Sequence, residues 1–232
     1  MTLTAAGFGF DFDHTLGRDN GLERKAFFNY AAELGCAFDE HGAPAAHDID
    51  RALETVRSGE RTLDDAIPAF YRDHCGIGSA TAERWKEHCF ALVPQLVEPS
   101  PGAVDLLHAL RRKQIPSAIL TNGWTPLQQM KIAQALGADA VSTILVSDEL
   151  GALKPSRRAF AALLDAMHLP AARVAYVGDN PSVDVGGALA AGMQAVWVDV
   201  DGLVYPQDVP APTLRVKGLG ELRELIENTQ VP

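Results

Sequence analysis

The chain has 232 residues, 47% of them hydrophobic, which is enough to bury a full core and excludes a disordered tail. Thirty acidic residues against twenty basic ones give a net charge of −10, which disfavours nucleic acid polymers and other polyanions as partners. A small anionic ligand would then need a locally positive pocket built from a metal ion, helix N-termini or a few placed Lys and Arg side chains.

In chain order, the first element is a short apolar and aromatic run, Gly7 to Phe12, which breaks abruptly into Asp13-His14-Thr15 and reads as a buried strand ending in a polar loop. From about Gly17 to Pro99 the pattern turns helical without convincing strands: Leu22 to Leu34, Ile49 to Val56, Leu63 to Tyr71 and Ala82 to Leu96. This stretch ends at Glu98-Pro99-Ser100-Pro101-Gly102, where two prolines mark a boundary. Residues 17–98 are therefore read as an all-helical insert, a cap domain, and residues 1–16 with 99–232 as the core.

Strand and helix then alternate. The strands Ile115 to Leu120, Ile144 to Val146 and Val174 to Val177 each run into a polar loop. The helices are Ala103 to Lys113, Pro126 to Leu136, Arg157 to His168 and Val183 to Ala191. Such alternation predicts an α/β fold, a parallel Rossmann-like sheet with helices on both faces and ligands at the strand C-ends.

The N-terminus has no basic region followed by a long apolar stretch, so no signal peptide is expected, and no run reaches the roughly 18 apolar residues of a membrane span. Cys36, Cys75 and Cys89 are an odd, widely spaced set that does not read as a disulfide framework, which makes the cytoplasm the expected compartment. His74-Cys75 and His88-Cys89 repeat a pair but lack zinc-ligand spacing, so packing is favoured over a metal. The sequence carries no signal for monomer or dimer.

The chemistry-bearing residues sit at the strand ends. Asp11 and Asp13 leave one apolar strand together, and Gly178-Asp179 follows another, with Asp184 five residues on near a helix start. Asp in such places often only caps a turn or meets a helix dipole. Gathered at one sheet edge, however, these carboxylates need a counter-charge, and an all-oxygen set suits magnesium. Thr121-Asn122-Gly123 offers an anion a hydroxyl and free backbone N–H groups, and Lys154, beside a helix entry at Pro155-Ser156, would be aimed at the same edge. Metal, lysine, hydroxyl and backbone donors together would surround a transferring phosphoryl group.

These motifs, in this order, resemble those of the haloacid dehalogenase-like superfamily over nearly the whole chain. Asp11-Phe12-Asp13-His14-Thr15-Leu16 is similar to its D-x-D-x-T-L motif, Thr121 to the second, Lys154-Pro155 to the third, and Gly178-Asp179 with Asp184 to the fourth. The resemblance implies Asp11 as a nucleophile forming an aspartyl-phosphate and Asp13 as the acid and then the base. It implies magnesium on Asp11, Asp179 and the backbone carbonyl of Asp13, with Asp184 orienting the metal shell. Thr121, Asn122 and Lys154 would bind phosphate, and Lys154 would also offset the charge of Asp11. His14 departs from the family, which frequently has Gly there.

A halide leaves without a proton whereas an alkoxide needs one, so Asp13 favours phosphate ester hydrolysis over dehalogenation. The expected substrate is a small phosphate monoester such as a nucleoside monophosphate, a sugar phosphate or phosphoglycolate. Trp124 is a candidate for stacking on a base, though core–cap packing is its commoner role. A phosphomutase using the same aspartyl-phosphate is the alternative reaction, and a non-catalytic binding protein of the same fold is the alternative class.

Overall fold

The computed structural model describes residues 3–36, 43–199, 202 and 204–228. In chain order the elements are β1 (Gly7–Phe10), β2 (Gly17–Arg18), α1 (Leu22–Glu33), α2 (Ala43–Arg57), α3 (Leu63–Cys75), α4 (Ala82–Leu96) and β3 (Glu98–Pro99). There follow α5 (Ala103–Arg112), β4 (Ser117–Thr121), α6 (Leu127–Leu136), β5 (Thr143–Val146), α7 (Ser147–Leu150), α8 (Arg157–Met167) and β6 (Val174–Gly178). After a π-helical turn at Pro181–Val185 come α9 (Gly186–Ala190), β7 (Gln194–Val198), β8 (Leu214–Val216) and α10 (Leu219–Asn228). The chain divides into two compact units, Met1–Arg18 with Glu98–Pro232, and Asp19–Val97.

The first unit is an α/β fold on a six-stranded parallel sheet of order β5-β4-β1-β6-β7-β8. The chain steps from β1 outward to β4 and β5, then crosses back to β6 on the other side of β1, so the strand order reverses at β1. Ligands of open parallel sheets bind at the strand C-ends beside such a reversal. Asp11 follows β1 there, Asn122 follows β4, Ser147 follows β5 and Asp179 follows β6. The strands are apolar on both faces, as burial between helix layers demands: β1 is wholly buried, as is β6. On one side Leu120, Tyr176 and Trp197 pack with Phe160, Leu163 and Ala188, all buried.

The strands β7 and β8 and the helix α10 extend the core beyond the alternation read from the sequence. The helix expected over Val183 to Ala191 is instead a π-helical turn followed by the short α9. The strand expected to run to Phe12 ends at Phe10, because the chain turns there, with Gly17 N–H donating to Phe12 O at 2.8 Å.

Among the described residues the second unit's regular elements are all helices, α1 to α4. Thr62 and Thr81 cap α3 and α4 by accepting from Asp65 N–H and Arg84 N–H. Its core is aromatic: the Phe27 ring meets Phe70, Tyr71 and Trp85 at 4.8, 5.9 and 5.4 Å between centroids, and buried Tyr71 donates its hydroxyl to Phe27 O at 2.7 Å. Contrary to the reading of the cysteines, Cys36 and Cys75 are joined in a disulfide, and Cys89 is a buried free thiol. The pair has a sequence separation of 39, and helix packing brings the two cysteines together. The cysteine pattern therefore no longer argues for a reducing compartment. The two His-Cys pairs form no joint metal site among the described residues: His74 bonds Asp48 and His88 bonds Glu33. Among the described residues no helix is long and apolar enough to cross a membrane.

Candidate active site

The site is built from the turns that end β1, β4 and β6. Asp11 N–H donates to Val177 O at 2.9 Å, continuing the ladder one residue past the strand and presenting the Asp11 carboxylate beside β6. Asp179 leaves β6, and its Oδ1 accepts from Thr15 Oγ1 at 3.2 Å. Asp184, 1% exposed, turns back to accept from Asn180 N–H at 3.0 Å. Carboxylate oxygens of Asp11, Asp179 and Asp184 all lie within 4.8 Å of one another.

Gly178 is what makes room for this. A Cβ at that position would stand 2.3 Å from Asp184 Oδ2 and 2.4 Å from its Cγ, so the absence of a side chain admits the carboxylate.

Lys154 supplies the counter-charge. Its side chain is 2% exposed, and Nζ donates to Asp11 Oδ1 at 2.6 Å, Asp184 Oδ1 at 2.7 Å and the Tyr176 hydroxyl at 3.0 Å. Tyr176 in turn donates to Leu120 O at 2.6 Å, so the ammonium is fixed from the sheet floor. Burial alone would lower the Lys154 ammonium, yet Asp11 and Asp184 hold it well above the ordinary lysine range. Burial pushes the Asp11 carboxyl up to about 8, with Asp184 and Asp179 adding to the rise against the pull of Lys154. Burial also raises Asp179, with Asp184 reinforcing it, while His14 and the Thr15 hydroxyl oppose. Lys154 bridges two of the three carboxylates, Asp11 and Asp184, so one ammonium stands against three acids and the cluster has room for a further cation. The donor set is all oxygen, which fits a magnesium ion.

Asp13, expected among the metal carboxylates, is not in that cluster. Its carboxylate faces α6: Lys131 Nζ lies 2.5 Å from Oδ1, and Gln128 Nε2 donates to Oδ2 at 2.9 Å. Thr121 Oγ1 accepts from Gln128 Nε2 at 2.8 Å. Asn122 clasps the Lys154 backbone, accepting from its N–H at 2.8 Å and donating to its carbonyl at 3.0 Å, so its amide side chain holds the lysine loop in place. The Gly123 N–H, expected to be open to an anion, donates instead to Ser147 Oγ at 3.0 Å. His14 has φ 62, in the left-handed region that glycine enters without strain, which accounts for glycine's use at such a turn.

Gln128, Lys131 and Tyr176 were missed in the sequence. Tyr176 is hidden in an apolar strand, and the other two read as ordinary polar positions of a helix. The one available signal was their i, i+3 spacing just after Thr121-Asn122-Gly123.

A family model for haloacid dehalogenase-like hydrolases matches residues 6–192. The chain belongs to the haloacid dehalogenase-like hydrolase family. Within this family it is similar to the phosphoserine phosphatase of Thermus thermophilus, 44% identical over 126 residues covering 54% of this chain and 49% of that protein. It is also similar to the pyrimidine 5'-nucleotidase YjjG of Escherichia coli, 33% identical over 57% of this chain and 58% of that protein. The chain thus spans about half the length of these two relatives. Among solved structures, YfnB of Bacillus subtilis, determined bound to magnesium, superposes with a TM-score of 0.77 at 18% identity over 97% of this chain and 99% of that one. A phosphatase from Thermococcus onnurineus does so at 0.70 and 21% identity, over all of both chains. These two likenesses establish the haloacid dehalogenase-like fold.

Proposed function

We propose that this chain is a magnesium-dependent phosphatase of small phosphate monoesters, with Asp11 as nucleophile. The observation that carries the reading is the cluster of buried Asp11 and Asp184 with half-buried Asp179, Lys154 bridging the first two. An Asp11 oxygen attacks phosphorus as the ester P–O bond breaks, and Asp13 gives its proton to the departing alkoxide. Asp13, now a carboxylate, takes a proton from a water that attacks the aspartyl-phosphate, releasing inorganic phosphate and restoring both aspartates. Lys154 pulls the Asp11 carboxyl down against the effect of burial and would neutralise charge on the phosphoryl oxygens, with Thr121 and the Asn122 turn at its side. Magnesium, held by Asp11, Asp179 and the Asp13 carbonyl with Asp184 behind them, would offset the repulsion between carboxylates and a phosphate dianion.

The likeness to a phosphoserine phosphatase and a pyrimidine nucleotidase supports a small ester as substrate. The separate placement of Asp13 supports ester hydrolysis over dehalogenation, since a halide leaves without a proton. Among small esters we favour nucleoside monophosphates, with Trp124, half-buried after the Thr121 turn, as the stacking surface.

The test is phosphate release from an aryl phosphate with magnesium, in wild type and in Asp11→Asn. Loss of turnover with unchanged circular dichroism is expected; wild-type-like turnover in the variant would overturn the covalent mechanism. Comparing kcat/KM for a pyrimidine monophosphate, phosphoserine, ribose 5-phosphate and phosphoglycolate then ranks the substrates. A preference of about tenfold, roughly 1.4 kcal/mol, for any of the other three would end the nucleotide assignment.

A further inference from the structure

We propose that Gln128 and Lys131 are positioning residues that clamp the Asp13 carboxylate apart from the metal carboxylates and beside the phosphate-binding Thr121. The inference rests on the reading of Asp13 as the group that protonates the leaving oxygen. Lys131 is 2% exposed on α6, and a buried ammonium is retained only with a counter-charge in place. That counter-charge is Asp13, whose side chain is 29% exposed. The Phe12 ring lies 5.8 Å from Lys131 Nζ and closes another side of the ammonium.

Gln128 ties this pair to the phosphate loop. Its Nε2 faces three acceptors, Asp13 Oδ2 at 2.9 Å, Thr121 Oγ1 at 2.8 Å and Asn122 O at 3.2 Å, with only two hydrogens to give, so the amide is held in one orientation. Gly123 is shaped to receive it. A Cβ there would lie 2.5 Å from Gln128 Cγ and 2.8 Å from Cδ, and the backbone has φ 147.

The Asp13 carboxylate is thereby held at α6 beside Thr121, apart from the group of Asp11, Asp179 and Asp184, two of which Lys154 bridges. An Asp13 released from the clamp would be free to rotate away from the leaving group. For a purely structural role, apolar packing would serve as well as a buried ion pair.

The experiment measures kcat at saturating magnesium on two esters, an activated nitrophenyl phosphate and an alkyl phosphate, in Lys131→Met, Gln128→Met, Asp13→Asn and Asp13→Asn/Lys131→Met. If the clamp positions the acid, both Met variants lose about tenfold or more on the alkyl ester and less than about threefold on the aryl ester. The double variant should then be no slower than Asp13→Asn alone, because the two changes remove one function. Equal losses on both esters in Lys131→Met and Gln128→Met, or a double variant slower by the full Lys131→Met factor, would overturn the proposal. If Lys131→Met loses its near-ultraviolet circular dichroism, Gln128→Met decides on the same criterion. Asp13→Asn separates the two readings. Equal loss on both esters in that variant defeats the assignment of Asp13 as the acid, whereas discrimination there without discrimination in the Met variants defeats the clamp alone.

Discussion

Lys154→Met tests the electrostatics of the site most directly. Methionine keeps the length and apolar stem of lysine but removes the ammonium that Asp11 and Asp184 share at 2.6 and 2.7 Å. Breaking a buried pair by deleting one partner costs about 3–5 kcal/mol, since the other partner stays buried without compensation. At roughly 2–4 °C per kcal/mol for a chain of this size, Tm of the metal-free protein should fall by about 10 °C at pH 8. At about pH 9.5, above the Asp11 value of about 8, the fall should be larger, because there the wild-type carboxylate is ionised and paired with the ammonium whereas the variant keeps either a bound proton or an unpaired anion. The assay is calorimetric unfolding in chelator at both pH values, with kcat on an aryl phosphate measured in magnesium. A drop in kcat of about a hundredfold or more is expected, on the scale of losing one preorganised charged group. A Tm change under about 2 °C at pH 8, or an equal change at both pH values, would show that Lys154 does not balance the cluster.

Because the folded Asp11 carboxyl sits at about 8 rather than 3.8, its folded form binds a proton that the unfolded chain has already lost. Metal-free stability should therefore decline as pH rises between those values, and the gain in Tm on adding magnesium should grow over the same window; a gain independent of pH would refute the linkage. Gly178→Ala would press a methyl against Asp184, and it should cost about 1–3 kcal/mol and weaken magnesium binding measured by calorimetry, whereas unchanged affinity would show that Asp184 has room to shift. Reducing the Cys36–Cys75 bond, which closes a loop of sequence separation 39, should destabilise the helical insert by up to about 4 kcal/mol in denaturant titrations. Thiol counting on the denatured, unreduced protein should find Cys89 alone reactive, and three reactive thiols would rule the disulfide out.

The sequence by itself determined the α/β class and the strand ends that carry Asp11, Thr121 and Asp179, because an apolar run breaking into a polar turn is a local event written in consecutive residues. It also marked Lys154 and Asp184, since each lies at a helix entry next to such a turn. Tertiary structure alone decided which carboxylates stand together. Asp11 and Asp13 are two residues apart, yet Asp11 joins Lys154, 143 residues away, while Asp13 joins Gln128, 115 residues away. Likewise Gln128 and Lys131 show no more in sequence than a polar face of α6, and Tyr176 no more than a buried strand position. Their partners arrive only when the sheet order sets β1 between β4 and β6. The Cys36–Cys75 bond was illegible for the same reason: helix packing, with no trace in cysteine spacing, brings their Cα atoms to 6.0 Å.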